Sequence, residues 1–133
     1  MSDCRQARVF VTLASMKIAL ALAAAASLAA FAIPADAEAK PRQVRCAVTS
    51  EGAAYRGTCT FTPEAGGSFS LAPVGRRYLV GRVGSVSVSL FRPGAAEVRG
   101  LTADGINSRW GEARRSTRDR SCWVGSGFSV CAY

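Results

Sequence analysis

Four cysteines in the C-terminal part of the chain most constrain its fold: Cys46, Cys59, Cys122 and Cys131. Along the sequence they fall into two groups of two, and the short segment between the cysteines of each group has glycine near its centre. These segments offer Gly52-Ala53 and Ser126-Gly127 as two-residue turns, the commonest type of connection in β-hairpins. Four cysteines allow three pairings. Two hairpins would favour a disulfide within each segment over links between the segments.

Counting residues outward from each turn tests this pairing. A type II′ turn at Gly52-Ala53 places Cys46 directly opposite Cys59, on a non-hydrogen-bonded pair with Cα atoms about 4.5 Å apart. The same counting from Ser126-Gly127 places the second pair of cysteines face to face. A disulfide can span the Cα–Cα separation of each of these pairs. The sequence therefore predicts the disulfides Cys46–Cys59 and Cys122–Cys131.

A zinc site made by the four thiolates is the alternative interpretation of these cysteines. Their separations of 13 and 9 residues lack the close spacing of structural zinc sites. No other residue pattern indicates a metal or a cofactor, so we predict neither.

Residues 1–37 have the three parts of a secretory signal peptide. A charged start at Met16-Lys17 precedes an apolar run over 18–33, and Ala35-Asp36-Ala37 supplies the small-residue cleavage site. The two candidate start sites are Met1, which gives a long charged region, and Met16, and we expect Cys4 to be outside the fold in both cases. The apolar run has 16 residues, fewer than the roughly 20 of a spanning helix, and a retained anchor is the alternative. We expect a periplasmic or secreted protein with no membrane span after cleavage, in a compartment that permits disulfides.

The 96 residues after Ala37 are enough for one domain. We predict a short linker over 38–43 and a single disulfide-braced β-domain over 44–133. Apolar and small polar residues alternate most clearly from Val83 to Phe91, as in a half-buried strand. Further turns are expected at Pro93-Gly94 and Asp104-Gly105.

The fold class predicted from this pattern is all-β. We expect a small antiparallel barrel or sandwich of about seven or eight short strands, preceded by a signal peptide helix. A short helical turn over 110–115 is the alternative for one segment. A loop is expected over 63–68, where the sequence is PEAGGS.

The chain lacks histidine and is strongly basic, with a formal net charge of +8. The absence of histidine excludes serine–histidine and cysteine–histidine catalysis. Three carboxylates, Glu97, Asp104 and Glu112, could approach one another in a meander, and two carboxylates can hydrolyse a glycosidic bond. The presence of all three is also explained by ordinary positions on the surface or in a turn, with no catalytic role. We therefore predict a protein that is not an enzyme.

The segment from 109 to 123 is the densest cluster of arginine and tryptophan in the chain. Guanidinium groups bind carboxylates, phosphates and sulfates, and they stack on aromatic rings. An exported protein meets anionic glycans and lipid headgroups first, so no nucleic-acid partner is expected. The candidate binding residues are Arg109, Trp110, Arg114, Arg115, Arg118, Arg120 and Trp123.

Two other interpretations of this segment stay open. In one, its arginines pair with Glu112 and Asp119 while the tryptophans pack beside the disulfide of Cys122. In the other, the chain is a protein–protein module, such as an inhibitor of an extracytoplasmic hydrolase, that presents a braced loop. A rigid loop loses less entropy on binding.

Four segments, YRGTCTF, GGSF, GINSRWGEARR and the CW-x-G-x-x-F-x-x-C pattern, resemble those of small exported proteobacterial proteins of unknown function that contain cysteines. The resemblance covers most of residues 44–133. It implies a compact exported domain, and it implies no activity, cofactor or catalytic residue.

Overall fold

The structure, a computed structural model, describes residues 40–133. The signal peptide helix predicted over residues 1–37 lies outside the described residues. Within 40–133 there are eight strands, and all neighbouring pairs are antiparallel. The strands are β1 (Arg42–Ser50), β2 (Ala53–Pro63), β3 (Phe69–Pro73), β4 (Val83–Arg92), β5 (Ala95–Thr102), β6 (Asn107–Arg115), β7 (Cys122–Gly125) and β8 (Phe128–Ala132).

The strands follow one another around a closed barrel in chain order, and β8 pairs with β1 to complete it. Closure removes the unpaired strand edges that would otherwise invite association. The prediction of an all-β fold with seven or eight strands is confirmed, and the barrel is the correct one of its two architectures. Residues 110–115 lie in β6, so the alternative of a helical turn there is wrong. No helix within residues 40–133 is long and apolar enough to cross a membrane.

Alternation along the strands fills the barrel interior with branched aliphatic side chains. In β4, Val86 and Val88 are fully buried, while the serines that alternate with them, at 85, 87 and 89, are partly or fully exposed. Phe61 and Phe69 stack with their ring centroids 4.9 Å apart. The fully buried side chains with the largest volumes are Leu71, Val48, Val86, Val88, Val98, Val130 and Cys59.

Both predicted disulfides are present, and they lie on opposite sides of the barrel wall. Cys46–Cys59 belongs to the interior core. Cys122–Cys131 packs against Ala47 in a separate small cluster. The predicted turn at Ser126-Gly127 is confirmed, since Cys122 lies directly opposite Cys131 in the β7–β8 register.

The predicted register of the β1–β2 hairpin is wrong by two residues. Its turn is Glu51-Gly52 and not Gly52-Ala53, and Cys46 lies opposite Gly57. Both turn residues have positive φ, 51° and 81°, which is the type I′ conformation whose twist matches that of the flanking strands. The disulfide to Cys59 is therefore diagonal, with Cα atoms 5.8 Å apart. A two-residue slip leaves the same side chains facing inward, and this is why the pairing was still predicted correctly.

Candidate functional site

The structure divides the predicted arginine–tryptophan segment between the two ends of the barrel. Arg109 and Trp110 lie near the start of β6, beside the β5–β6 hairpin, whereas Arg115 ends that strand. At about 3.3 Å per residue, roughly 20 Å of strand separates Arg109 from Arg115. The seven predicted residues therefore do not form one site.

The far end of β6 lies beside the β4–β5 turn and forms a concentration of positive charge. The backbone N–H of Arg115 donates to the carbonyl of Gly94 at 3.0 Å. Arg92 and Arg114 both lie opposite Ala95, one on each neighbouring strand. We call this surface the basic end; its residues are Arg92, Arg114, Arg115, Arg118 and Arg120, all exposed.

Arg115 also has a structural role at the basic end. Its Nε donates to the carbonyl of Arg120 at 2.7 Å. Its guanidinium carbon lies 5.5 Å from the centre of the Trp123 ring, within the range of a cation–π contact. Trp123 itself is 3% exposed and belongs to the interior core. Its ring therefore packs the barrel and presents no open stacking face.

The loop between β6 and β7 uses its own polar groups to fix its shape. The hydroxyl of Ser116 accepts hydrogen bonds from the backbone N–H groups of Arg118 and Asp119, both at 3.2 Å. The carboxylate of Asp119 accepts from the N–H of Ser121 at 3.0 Å. This carboxylate is thus bound to backbone and not to an arginine. Within residues 40–133, the salt bridges involve Arg82, Arg99 and Arg109, and none involves the basic end.

Arg109 is held instead by a carboxylate on the outer wall. Glu97 accepts from Nε of Arg109 at 2.9 Å and from Nε of Arg99 at 2.7 Å. The hydrogen bond from Arg109, followed by that from Arg99, lowers the pKa of Glu97. A general acid for glycoside hydrolysis needs the opposite shift. Glu112 lies directly across from Glu97 on β6, so two of the three carboxylates considered for catalysis are neighbours.

The third of those carboxylates, Asp104, lies in the β5–β6 hairpin. It forms a salt bridge of 3.1 Å with Arg82, and both side chains are well exposed. Arg82 precedes β4, so this bridge joins two connections at the end of the barrel away from the basic end.

Glutamine in place of Glu97 should reduce stability in a pH-dependent way. Because folding lowers the pKa of Glu97, its contribution is present above the ordinary glutamate pKa of about 4.3 and is lost as pH falls through the folded pKa. We expect Glu97→Gln to be less stable than the wild type at pH 7, by a small margin because the site is exposed. The two proteins should converge in acid, once the Glu97 carboxylate is protonated in the folded state as well. Urea denaturation at neutral and at acid pH checks this, and a difference that persists in acid would contradict it.

The end of the barrel opposite the basic end contains a cavity of about 520 Å³. We call it the mouth cavity. Three connections at that end and the first half of β6 contribute to its lining, which comprises Ser50, Glu51, Ala53, Val80, Gly81, Arg82, Val83, Ser108, Arg109, Trp110, Ser126, Gly127 and Phe128. Of these, only Arg109 and Trp110 were candidates from the sequence.

Two aromatic rings contribute to the apolar part of the mouth cavity. Trp110 and Phe128 meet edge to face, with ring centroids 5.7 Å apart. A Cβ on Gly100 would lie 2.8 Å from Nε1 of Trp110, so glycine at this position lets the indole lie close to the backbone of β5. The alternation of β8 could have identified Phe128 as inward-facing, but no local pattern places it beside Trp110.

Comparison with known proteins identifies no relative from which a function could be transferred. No protein-family model matches the chain, and neither the curated proteins nor the solved structures include one detectably similar to it.

Proposed function

We propose that this protein is an exported, non-enzymatic binding module for an anionic polymer or surface, and that the basic end makes the contact. The observation that carries the proposal is the charge of that end. It presents five exposed arginines, and none of them forms a salt bridge within residues 40–133. Planar guanidinium groups are suited to two-pronged contacts with sulfate, carboxylate or phosphate.

The shape of the loop supports the same function. Because Ser116 and Asp119 satisfy backbone N–H groups, the loop is ordered before any ligand arrives. Binding then needs to order only the arginine side chains, which lowers its entropic cost. The concentration of one charge also steers an anionic partner toward this end.

The proposed compartment rests on the cysteines. Two disulfides in a small domain are typical of oxidising compartments, and the sequence of residues 1–37 has the pattern of a signal peptide. In the periplasm or outside the cell, the available polyanions are acidic glycans and lipid headgroups. We favour a sulfated or carboxylated glycan, for which heparin is a convenient probe.

Charge reversal at the basic end tests the proposal. Arg114→Glu/Arg118→Glu should weaken heparin binding at least tenfold at moderate salt, since each lost charged hydrogen bond is worth about 1.5 kcal/mol or more. The matched control is Arg56→Glu/Arg77→Glu, which makes the same change in net charge at exposed residues outside the basic end. Arg115 is left intact because it contacts Trp123.

The two variants distinguish a defined surface from general charge attraction. Affinity should fall in the first variant and change less than about threefold in the second, as distant exposed charges are screened by salt. Equal losses in both variants would contradict a defined surface, and unchanged binding in both would contradict the proposal. Vesicles with anionic lipids, tested in parallel, separate a headgroup partner from a glycan.

A protein–protein module is the second proposal, carried over from the sequence. It predicts that a periplasmic protein is captured and stays bound at high salt, where charge-driven retention is lost. Within residues 40–133, no contact favours it over the basic end.

A further inference from the structure

We propose that the mouth cavity is a second binding site, independent of the basic end, for a small amphipathic anion. Such a ligand has a planar apolar body and one carboxylate or sulfonate group. The cavity volume of about 520 Å³ lies within the range of small-molecule sites, which occur preferentially in places such as the mouths of β-barrels. Barrels of eight strands can hold one small ligand.

Backbone hydrogen bonds between and within the connections fix the walls of this cavity. The N–H of Glu51 donates to the carbonyl of Gly127 at 3.1 Å, which joins the β1–β2 and β7–β8 turns. The N–H of Val83 donates to the carbonyl of Val80 at 2.9 Å, which folds the end of the β3–β4 connection. The cavity is therefore formed by ordered turns, and a ligand would not have to create it.

The apolar body of the ligand is assigned from the rings and aliphatic groups of the lining. Trp110 and Phe128 offer an aromatic corner, and Val80 and Val83 add aliphatic surface. A flat ring can stack or meet these rings edge-on, which adds to the gain from burial. A strongly hydrated, fully polar ligand would leave this surface unused.

The negative charge of the ligand is assigned from Arg82 and Arg109. Each arginine is braced by a carboxylate, Asp104 at 3.1 Å or Glu97 at 2.9 Å. A guanidinium has five N–H donors, and Arg109 is bonded to Glu97 through Nε alone. Its terminal nitrogens thus retain donors for a ligand. The lining has two arginines and one carboxylate, Glu51, and the unused N–H donors of the arginines favour a ligand group that accepts hydrogen bonds.

The probe we would use is 1-anilinonaphthalene-8-sulfonate, which combines fused aromatic rings with one sulfonate and fluoresces when it leaves water. We expect saturable binding of one molecule per chain. Ala53→Phe, which fills the cavity, should weaken it at least tenfold. Ala54→Phe, the next residue on the same strand, does not line the cavity and should change the affinity less than twofold.

A second matched pair keeps the test valid if Ala53→Phe does not fold. Arg109→Gln and Arg99→Gln each remove one hydrogen bond to Glu97, but only Arg109 lines the cavity. Arg109→Gln should weaken binding about fivefold or more, and Arg99→Gln should leave it within twofold. Equal effects of these two variants would overturn the proposal, as would non-saturable binding by the wild type.

The basic-end variant separates this site from the proposed function. Arg114→Glu/Arg118→Glu should bind the probe with unchanged affinity, whatever its affinity for heparin. Loss of probe binding in that variant would place the probe at the basic end and overturn the mouth site.

Discussion

Replacing Cys46 and Cys59 together with alanine should lower the free energy of unfolding by about 4 to 5 kcal/mol. The same replacement of Cys122 and Cys131 should lower it by about 2 to 3 kcal/mol. The two loops differ little in length, 13 against 9 residues, so their effects on the unfolded chain differ by only a few tenths of a kcal/mol. The expected difference therefore arises in the folded state.

The interior disulfide packs the core as well as crosslinking the chain. Cys59 is fully buried among the aliphatic residues, and Cys46 is 3% exposed. Truncating both side chains removes sulfur from a closely packed interior and leaves a cavity. Cys122–Cys131 is also buried, but it contacts Ala47 in a small cluster outside the main core, where fewer buried neighbours surround the cavity that truncation leaves.

Urea denaturation of both variants, followed by circular dichroism, measures this difference. Because both changes remove one disulfide and two sulfur atoms, each variant is the matched control for the other. Equal losses of stability, or a larger loss from the outer pair, would contradict the different locations of the two disulfides.

Alanine in place of Trp123 should cost about 3 to 5 kcal/mol of stability, whereas alanine in place of Trp110 should cost clearly less. Trp123 is 3% exposed within the core, while Trp110 is only partly buried. Trp123→Ala also deprives Arg115 of the ring beneath its guanidinium.

Trp123→Phe distinguishes a packing role from a binding role. Phenylalanine restores most of the buried ring, so this variant should regain much of the stability and bind heparin like the wild type. Thermal unfolding and heparin affinity of the three variants provide the measurements. A folded Trp123→Phe variant with at least tenfold weaker heparin binding would show that this tryptophan contacts the ligand.

The disulfides and the inward faces of the strands were predictable because they depend on local patterns. Period-two alternation identified Val86 and Val88 as buried, and glycine-containing turns brought the cysteines together. The turn at Glu51-Gly52 was missed because a glutamate with positive φ is uncommon. Here it allows a type I′ turn, and Glu51 also bonds to Gly127 across the end of the barrel.

The candidate sites were less predictable because they depend on barrel closure. Residues 109 to 123 are close along the chain, yet an extended strand separates Arg109 from Arg115. Both the contact of Trp110 with Phe128 and the mouth cavity, where three connections meet the start of β6, require the complete circuit of strands. The burial of Trp123 could have been inferred from the predicted β7–β8 register, because Trp123 lies opposite the apolar Val130.

The most direct test of the central claim is an NMR titration of the ¹⁵N-labelled domain with a short heparin fragment. If heparin binds at the basic end, the largest changes in amide chemical shift will fall at residues 92 and 114–120. The turns at 51–52 and 126–127, at the opposite end of the barrel, should stay nearly unchanged. Shift changes centred on those turns, or small changes spread evenly over all exposed arginines, would contradict a binding surface at the basic end.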